Sequence, residues 1–235
     1  MSGGHEGRAP EPAGVVFDLD GTLIASAPAI RAVANAYLAE AGLGPPLSEE
    51  ETIAFVGGGS PVFVEKMLAS RGLPRPEDFA VRYAAFQLHY RNADPSLNVP
   101  YAGAEAAMDA LAAAGHGLAL CTNKPGAPTA KVLAALGWED RFARVVAGDT
   151  LAVKKPDPAP LLYAAEAVAR PFIYVGDSEV DAETARRAGV PFLLHTEGYR
   201  HADLADLPHA AVFSDWSELP RRVAEVLGAP ALPRP

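Results

Sequence analysis

A short apolar run that ends in two carboxylates constrains this chain more than any other stretch. Residues 14–23 read GVVFDLDGTL, so an apolar segment of strand type runs directly into Asp18 and Asp20. Such strands are buried, and a carboxylate at the end of one needs a compensating partner. Side chains two apart on an extended chain point the same way, so these carboxylates repel unless a cation or a proton comes between them. The stretch therefore indicates metal binding together with acid–base chemistry.

The plainer alternative is an Asp-x-Asp-Gly turn that closes a strand, because Asp-Gly is a common turn sequence. From average residue usage, a chance Asp-x-Asp-Gly-Thr in a chain of this length is on the order of a few in a thousand. The preceding strand lowers that chance further, so the sequence favours a functional site here.

Composition limits the class of protein. The chain has 235 residues, enough for one large domain or for a domain with an insertion. Its net charge of -9 argues against nucleic-acid and anionic-membrane partners. Cys121 is the single cysteine, which excludes an intrachain disulfide and a cysteine-rich zinc site. With neither a membrane-length apolar run nor a signal-like start, we expect a cytoplasmic protein.

The order of apolar and polar segments predicts a core with an insertion. Residues 1–13 read as a disordered tail, and 14–17 as the first strand. Residues 26–92 read as helices alone, beginning near Pro28, Ser48, Ser60 and Pro76, with Ser48 and Glu51 forming a capping box. We therefore expect a helical cap at 26–95 inserted into an α/β core formed by 14–25 and 96–235.

After residue 95, strand and helix patterns alternate, which predicts a doubly wound parallel sheet. The predicted strands are His116–Cys121, Arg144–Val146, Phe172–Val175, Val190–Leu194 and Ala211–Phe213. The predicted helices are Gly103–Ala114, Thr129–Leu136, Ala159–Ala169, Val180–Ala188 and a last one ending near Leu227.

Polar residues follow several of these strands, and parallel strand ends converge on one crevice. They are Asp18, Thr122 with Asn123, Asp149 and Asp177. Asp18 and Asp177, with a backbone carbonyl and water, suit octahedral Mg²⁺. Taken alone, Asp177 reads equally well as a helix N-cap, but Asp18 and Asp20 favour its interpretation as a ligand. Asp181 is interpreted as a carboxylate that orients the ligands rather than as a direct ligand. We interpret Asp149 as a turn residue.

Other candidates are weaker when taken alone. Lys155 is a cation that can balance the negative charge of a phosphoryl group, and the following Pro156 restricts its backbone. A lysine pair in a loop is, however, usually solvated. Thr122 offers a hydroxyl to a phosphate oxygen or to its own turn. The glycine run at 57–59 is either an anion-binding backbone or a flexible joint. Cys121 and the six histidines, including His195, are interpreted as incidental.

Four motifs in order resemble those of the haloacid dehalogenase superfamily of phosphohydrolases with a type-one helical cap. They are DLDGT at 18–22, Thr122, Lys155-Pro156, and Gly176-Asp177-Ser178 with Asp181. Within that superfamily, the segments CTNKP at 121–125 and GDTL at 148–151 are most similar to phosphoglycolate phosphatases. One position departs from the family pattern, because Ala25 precedes Ser26 where a carboxylate is usual.

The resemblance implies a mechanism. Asp18 attacks phosphorus to form an aspartyl phosphate, and Asp20 acts first as general acid and then as general base. Thr122, Asn123 and Lys155 hold the phosphoryl group. Mg²⁺ is held by Asp18, Asp177 and the main-chain carbonyl of Asp20, with Asp181 behind them. The predicted activity is hydrolysis of a small phosphate monoester such as 2-phosphoglycolate.

Other classes stay open at this stage. A phosphosugar mutase would use the same aspartyl phosphate, and a dehalogenase would need neither Asp20 nor Mg²⁺. A phospho-accepting switch domain would lack the 26–92 insertion. The expected partner is a small phosphorylated metabolite, and the chain is expected to be a monomer or a homodimer. Arg31, Lys66, Arg71 and Arg82 are candidates in the cap for binding a substrate carboxylate.

Overall fold

A six-stranded, all-parallel sheet forms the centre of the molecule, in a computed structural model that describes residues 12–74 and 76–228. The strands are β1 Gly14–Phe17, β2 Ile24–Ala25, β3 Val99–Pro100, β4 Gly117–Cys121, β5 Val145–Val146, β6 Phe172–Gly176, β7 Phe192–His195 and β8 Ala211–Phe213. The order in the main sheet is β5-β4-β1-β6-β7-β8, so β1 lies in the middle between β4 and β6. The predicted doubly wound α/β fold is confirmed.

Helices follow the strands much as the sequence pattern predicts. They are α1 Ala27–Ala41, α2 Glu49–Phe55, α3 Ser60–Ser70, α4 Phe79–Arg91, α5 Ala104–Ala113, α6 Gly126–Leu136, α7 Ala159–Ala165, α8 Glu179–Ala188 and α9 Leu219–Gly228. Helix α6 begins three residues before its predicted start, because Pro128 fits a first turn, where N–H groups lack helical partners. Helix α7 ends four residues before its predicted end.

The two faces of the sheet are both buried, as a parallel sheet with crossover helices requires. Alternation along β1 sends Val15 and Phe17 into one apolar cluster and Val16 into the other. Phe17 meets Trp216 from the chain end with ring centroids 6.3 Å apart. Burial on both faces fixes the register of β1, and the register fixes where Asp18 emerges.

Helices α1–α4, here called the helical segment, bury an apolar cluster of their own that includes Tyr37, Met67 and Phe86. The predicted capping box is present, because Ser48 Oγ accepts from Glu51 N and Glu51 Oε2 accepts from Ser48 N. Among the described residues of 26–92 no strand occurs, as predicted. The division into a core and a cap stays a prediction.

The strands β2 and β3 pair antiparallel to each other, with Ala25 opposite Val99. They carry the chain into and out of the helical segment side by side. The sequence did not predict these two strands.

The predicted tail falls mostly on residues 1–11, which lie outside the described part of the chain. Ala13 is fully buried and its N–H donates to His116 Nδ1 at 3.1 Å, so the folded chain includes it. Within the described ranges, no helix is both long and apolar enough to cross a membrane.

Candidate active site

A cavity lies between the carboxyl ends of the central strands and the helical segment. Its wall on the sheet side includes Asp18 after β1, Thr122 after β4 and Asp177 after β6. Helices α1, α3 and α4 contribute the opposite wall, mainly through apolar and aromatic side chains. Residues that are far apart in sequence therefore meet at the edge of the sheet where the polar strand ends were predicted to converge.

Three buried carboxylates form the centre of the site. Oxygens of Asp18, Asp177 and Asp181 all lie within 4.8 Å of one another. Lys155 Nζ lies 2.8 Å from Asp18 Oδ1 and 2.7 Å from Asp181 Oδ1. Three negative charges and one positive charge leave the cluster with a formal charge of −2.

This donor set fits a divalent cation. Asp18 Oδ1 is buried and forms an ion pair with Lys155. The angles of that contact do not make a hydrogen bond, so among the described residues this oxygen accepts no hydrogen bond. Carboxylate oxygens with unused lone pairs are the ligands that hard cations prefer. The aspartate cluster could therefore bind a metal ion, and an ion of charge +2 would balance its charge.

Burial perturbs the acids of this cluster. Burial raises the pKa of Asp18 to about 7, and repulsion from Asp181 adds to that rise while the attraction of Lys155 opposes it. Burial, with repulsion from Asp181 and Asp18, holds the pKa of Asp177 well above its ordinary value. Burial also acts on Asp181, but the ammonium of Lys155 outweighs it, so the pKa of Asp181 is lowered. Lys155 thus stabilises the ionised form of Asp181 more than it stabilises the ionised forms of Asp18 and Asp177.

Asp181 is saturated by protein donors. Its Oδ1 accepts from Lys155 Nζ at 2.7 Å and from Tyr174 OH at 2.6 Å, and its Oδ2 accepts from Ser178 Oγ at 2.6 Å. Ser178 and Asp181 form a capping box at the start of α8. These bonds fit the predicted orienting role of Asp181, which stays a prediction.

Tyr174 is a site residue that sequence reasoning missed. Lys155 Nζ donates to its hydroxyl at 2.8 Å, so the phenol joins Lys155 to Asp181. A tyrosine inside an apolar strand looks like a core residue, and nothing in the sequence marks it otherwise.

Asp177 is fixed by both of its oxygens. Thr22 Oγ1 donates to Oδ1 at 2.8 Å, and the main-chain N–H of Tyr199 donates to Oδ2 at 2.6 Å. Gly21, at φ 85°, and Gly198 pass so close that a Cβ on either would overlap the Asp177 carboxylate. Asp177 is therefore not the N-cap of α8, since Ser178 takes that position.

Asn123 holds the loop of Lys155 through a pair of hydrogen bonds. Its Nδ2 donates to Lys155 O at 3.0 Å, and its Oδ1 accepts from Lys155 N at 3.1 Å. The Asn123 amide is thus engaged with protein, and its predicted contact with phosphate depends on its main chain. Thr122 is buried at the cavity wall, and its hydroxyl accepts from Lys124 N at 3.1 Å.

Asp20 lies apart from the three clustered acids and pairs with a second buried lysine. Lys124 Nζ is 2.8 Å from Asp20 Oδ1, and its side chain is only 2% exposed. The ammonium also lies 5.3 Å from the centroid of the Tyr90 ring on α4. Sequence reasoning assigned no role to Lys124, although its place directly after Thr122 and Asn123 was a usable signal. The predicted metal contact of Asp20 depends on its main chain, because its carboxylate pairs with Lys124.

Tyr199 occupies the junction where the family pattern has a carboxylate and this chain has Ala25. Its hydroxyl oxygen accepts from Ser26 N at 2.7 Å and from Ala27 N at 2.8 Å, at the start of α1. Ser26 itself provides no side-chain cap. A phenol from the loop after β7 therefore caps the first helix of the helical segment.

The remaining predicted candidates lie as follows. Asp149 accepts from Gly126 N at 2.8 Å and lies outside the cavity, in agreement with a turn role. Burial raises the pKa of Cys121 to about 12, which makes it a poor nucleophile. His195 is buried and contacts Gly21 O through Nδ1 at 3.0 Å. Gly57 and Gly59 line the cavity.

One class of hydrolase combines three features of this chain. They are a doubly wound sheet, a central strand that ends in Asp-x-Asp-Gly-Thr, and a lysine among three buried carboxylates. The model of the haloacid dehalogenase-like hydrolases matches residues 12–189, and the chain belongs to that family. The predicted family is confirmed.

Named relatives place the chain more narrowly. It is 48% identical over 216 residues to the phosphoglycolate phosphatase of Cereibacter sphaeroides, an alignment that covers 91% of this chain and 99% of that one. It is 42% identical to the phosphoglycolate phosphatase of Rhodobacter capsulatus over 88% of this chain and 94% of that one. A solved structure from Haemophilus somnus, described as a predicted phosphoglycolate phosphatase, is similar with a TM-score of 0.81 and 26% identity, covering 90% of this chain and 98% of that one.

Proposed function

We propose that this chain is a Mg²⁺-dependent phosphatase that hydrolyses small phosphate monoesters, with 2-phosphoglycolate as the favoured substrate. The observation that carries the proposal is the buried group of Asp18, Asp177, Asp181 and Lys155 beside the cavity, in which one lysine faces three carboxylates. The names of the relatives support the choice of substrate.

In the first step, a carboxylate oxygen of Asp18 attacks phosphorus, and the bond from phosphorus to the ester oxygen breaks. Asp20 gives its proton to the leaving oxygen, so the alcohol departs neutral. Lys155, already 2.8 Å from Asp18, supplies positive charge beside the phosphoryl group as it transfers. Thr122 holds a phosphoryl oxygen.

In the second step, water attacks the phosphorus of the aspartyl phosphate, and Asp20 takes up the proton of that water. The bond between phosphorus and the Asp18 oxygen breaks, which releases phosphate and restores the carboxylate. Asp20 thus gains and loses one proton in each cycle. Asn123 keeps Lys155 in place throughout, through its two bonds to the Lys155 main chain.

Asp18, Asp177 and the main-chain carbonyl of Asp20 would hold Mg²⁺. When bound, the ion supplies positive charge that offsets the carboxylates and the phosphoryl oxygens. Helices α1–α4 serve as a cap over the cavity, where they exclude bulk water and select the leaving group. We further propose a cytoplasmic location, in keeping with the expected metabolite substrate.

The test is phosphate release from a panel of small esters, with Mg²⁺ and with EDTA. We expect release that requires Mg²⁺ and that the Asp18→Asn variant lacks, with a loss of at least about 1000-fold because the amide is a far weaker nucleophile. Asp140→Asn, an exposed aspartate elsewhere on the surface, is the matched control and should keep full activity. Equal hydrolysis by Asp18→Asn would contradict the role of Asp18.

A phosphosugar mutase would give an isomerised sugar phosphate rather than free phosphate, so product analysis separates the two activities. The relatives named above favour the hydrolase.

A further inference from the structure

Lysines supply all the positive charge in the cavity. Of the described residues that line it, only Lys124 and Lys155 are cationic. Lys155 already contacts Asp18 and Asp181. Lys124 pairs with Asp20 alone, so it is the cation with a single anionic partner.

The four cationic side chains that the sequence offered for a substrate carboxylate point elsewhere. Arg31 pairs with Glu49, Arg71 with Glu51 and Arg82 with Asp78. Lys66 donates to Ala54 O at 3.1 Å. None of these four lines the cavity, so a carboxylate on a bound substrate would not meet any of them there.

Lys124 lies beside the proposed proton donor of the reaction. Its Nζ is 2.8 Å from Asp20 Oδ1, and Asp20 is the proposed donor to the leaving oxygen. In 2-phosphoglycolate a single methylene separates that oxygen from the carboxylate. A group that contacts Asp20 is therefore within reach of a carboxylate at that position.

Charge also favours this pairing. The side chain of Lys124 is almost fully buried, and a buried cation without an anion is costly. Tyr90, its other neighbour, is a neutral ring. A substrate carboxylate in the cavity is an anion with which this ammonium can pair.

We propose that Lys124 is the specificity-determining residue of this site, and that it binds a carboxylate adjacent to the leaving oxygen of the substrate. The inference rests on the proposed phosphatase function. Lys124 exchanges its partner, from Asp20 in the free protein to the carboxylate in the complex. Substrates without that carboxylate leave Lys124 and Asp20 paired.

The experiment compares two esters that differ only in this group, 2-phosphoglycolate and 2-hydroxyethyl phosphate. The value of kcat/KM is measured for wild type and for Lys124→Met with both esters and Mg²⁺. We expect Lys124→Met to lower kcat/KM for 2-phosphoglycolate by about 100-fold more than for 2-hydroxyethyl phosphate, the range of a lost buried charge pair. Lys66→Met, a lysine of the helical segment outside the cavity, should leave both values within about twofold of wild type.

Each outcome decides a different point. An equal loss with both esters would mean that Lys124 acts only on Asp20, and it would overturn the inference. A selective loss in Lys66→Met would place the carboxylate on the cap and overturn it too. Wild type that releases phosphate from neither ester would instead contradict the proposed function. Lys124→Gln repeats the comparison if circular dichroism shows Lys124→Met to be unfolded.

Discussion

Asp18 combines two properties that conflict in the metal-free protein. In the proposed mechanism it must be ionised to attack phosphorus, yet burial raises its pKa to about 7. In the unfolded chain it ionises near 3.8, so between these values folding requires proton uptake. The metal-free fold therefore loses stability as the pH rises from about 4 to about 7, and above that range the penalty from Asp18 is constant.

Removal of the charge at Asp18 should relieve this penalty. With EDTA present, we expect Asp18→Asn to melt at a higher temperature than wild type at pH 7.5, and the difference should shrink at pH 4.5. The pKa difference sets an upper limit of about 4 kcal/mol on the gain. Thermal denaturation at the two pH values measures it, with Asp140→Asn as the control. A difference that is the same at both pH values would show that titration of Asp18 is not its source.

At the level of single residues, the sequence predicted best those positions that stand at strand ends. Asp18, Thr122 and Asp177 follow apolar strands, so topology alone brings them together. The placement of Tyr174 was not predictable in this way, whereas Lys124 directly follows the polar end of β4 and its role was overlooked. The hydroxyl of Tyr174 on β6 accepts a hydrogen bond from Lys155, and the Tyr90 ring on α4 lies against the buried ammonium of Lys124.

Helix α1 begins in a buried environment without a side-chain cap of its own. The hydroxyl of Tyr199 accepts from two N–H groups there, and the same residue's N–H bonds Asp177. Tyr199 thus connects the acid cluster to the first helix over the cavity. These contacts lie next to Ala25, the position at which this chain departs from the family pattern.

The Tyr199→Phe variant tests this contact. Loss of the hydroxyl leaves the Ser26 and Ala27 N–H groups buried without a partner, which should cost about 1–3 kcal/mol of unfolding free energy. Urea denaturation measures that loss. Tyr163→Phe, a partly exposed tyrosine, should change stability by less than about 0.5 kcal/mol. Equal stability of Tyr199→Phe and wild type would show that water replaces the phenol.

The longer elements were predictable, but the two-residue strands of the described chain were not equally so. The sequence predicted β5 from the alternation of strands and helices, and it did not predict β2 or β3. The strand β1 has the bounds that its apolar pattern predicts, because a fully buried strand needs an unbroken apolar run. The pair β2–β3 has two residues in each strand, too few for any periodic signal, so the paired crossing to the helical segment was missed.

Over the whole molecule, we expect metal binding by the cluster at the sheet edge to depend on pH. Protons on Asp18 and Asp177 compete with a cation for the same oxygens, and burial raises the pKa of both acids. Metal affinity should therefore rise as the pH increases through about 7.

We expect Mg²⁺ at about 100 times its Kd to raise the melting temperature by on the order of 5 °C at pH 8. At the same concentration the rise should be much smaller at pH 5.5. Differential scanning calorimetry on EDTA-treated protein provides the measurement, and Asp177→Asn should reduce the effect at both values. A rise that does not depend on pH would place the cation outside this cluster.

The two glycines that contact Asp177 limit which substitutions this chain tolerates. Gly21 and Gly198 carry no chemistry, yet any larger residue at either would collide with a carboxylate that the site requires. In a saturation scan scored by growth or turnover, both positions should be as intolerant as the acids themselves. A map of functional sites based on such a scan would therefore include residues whose only contribution is the absence of a side chain.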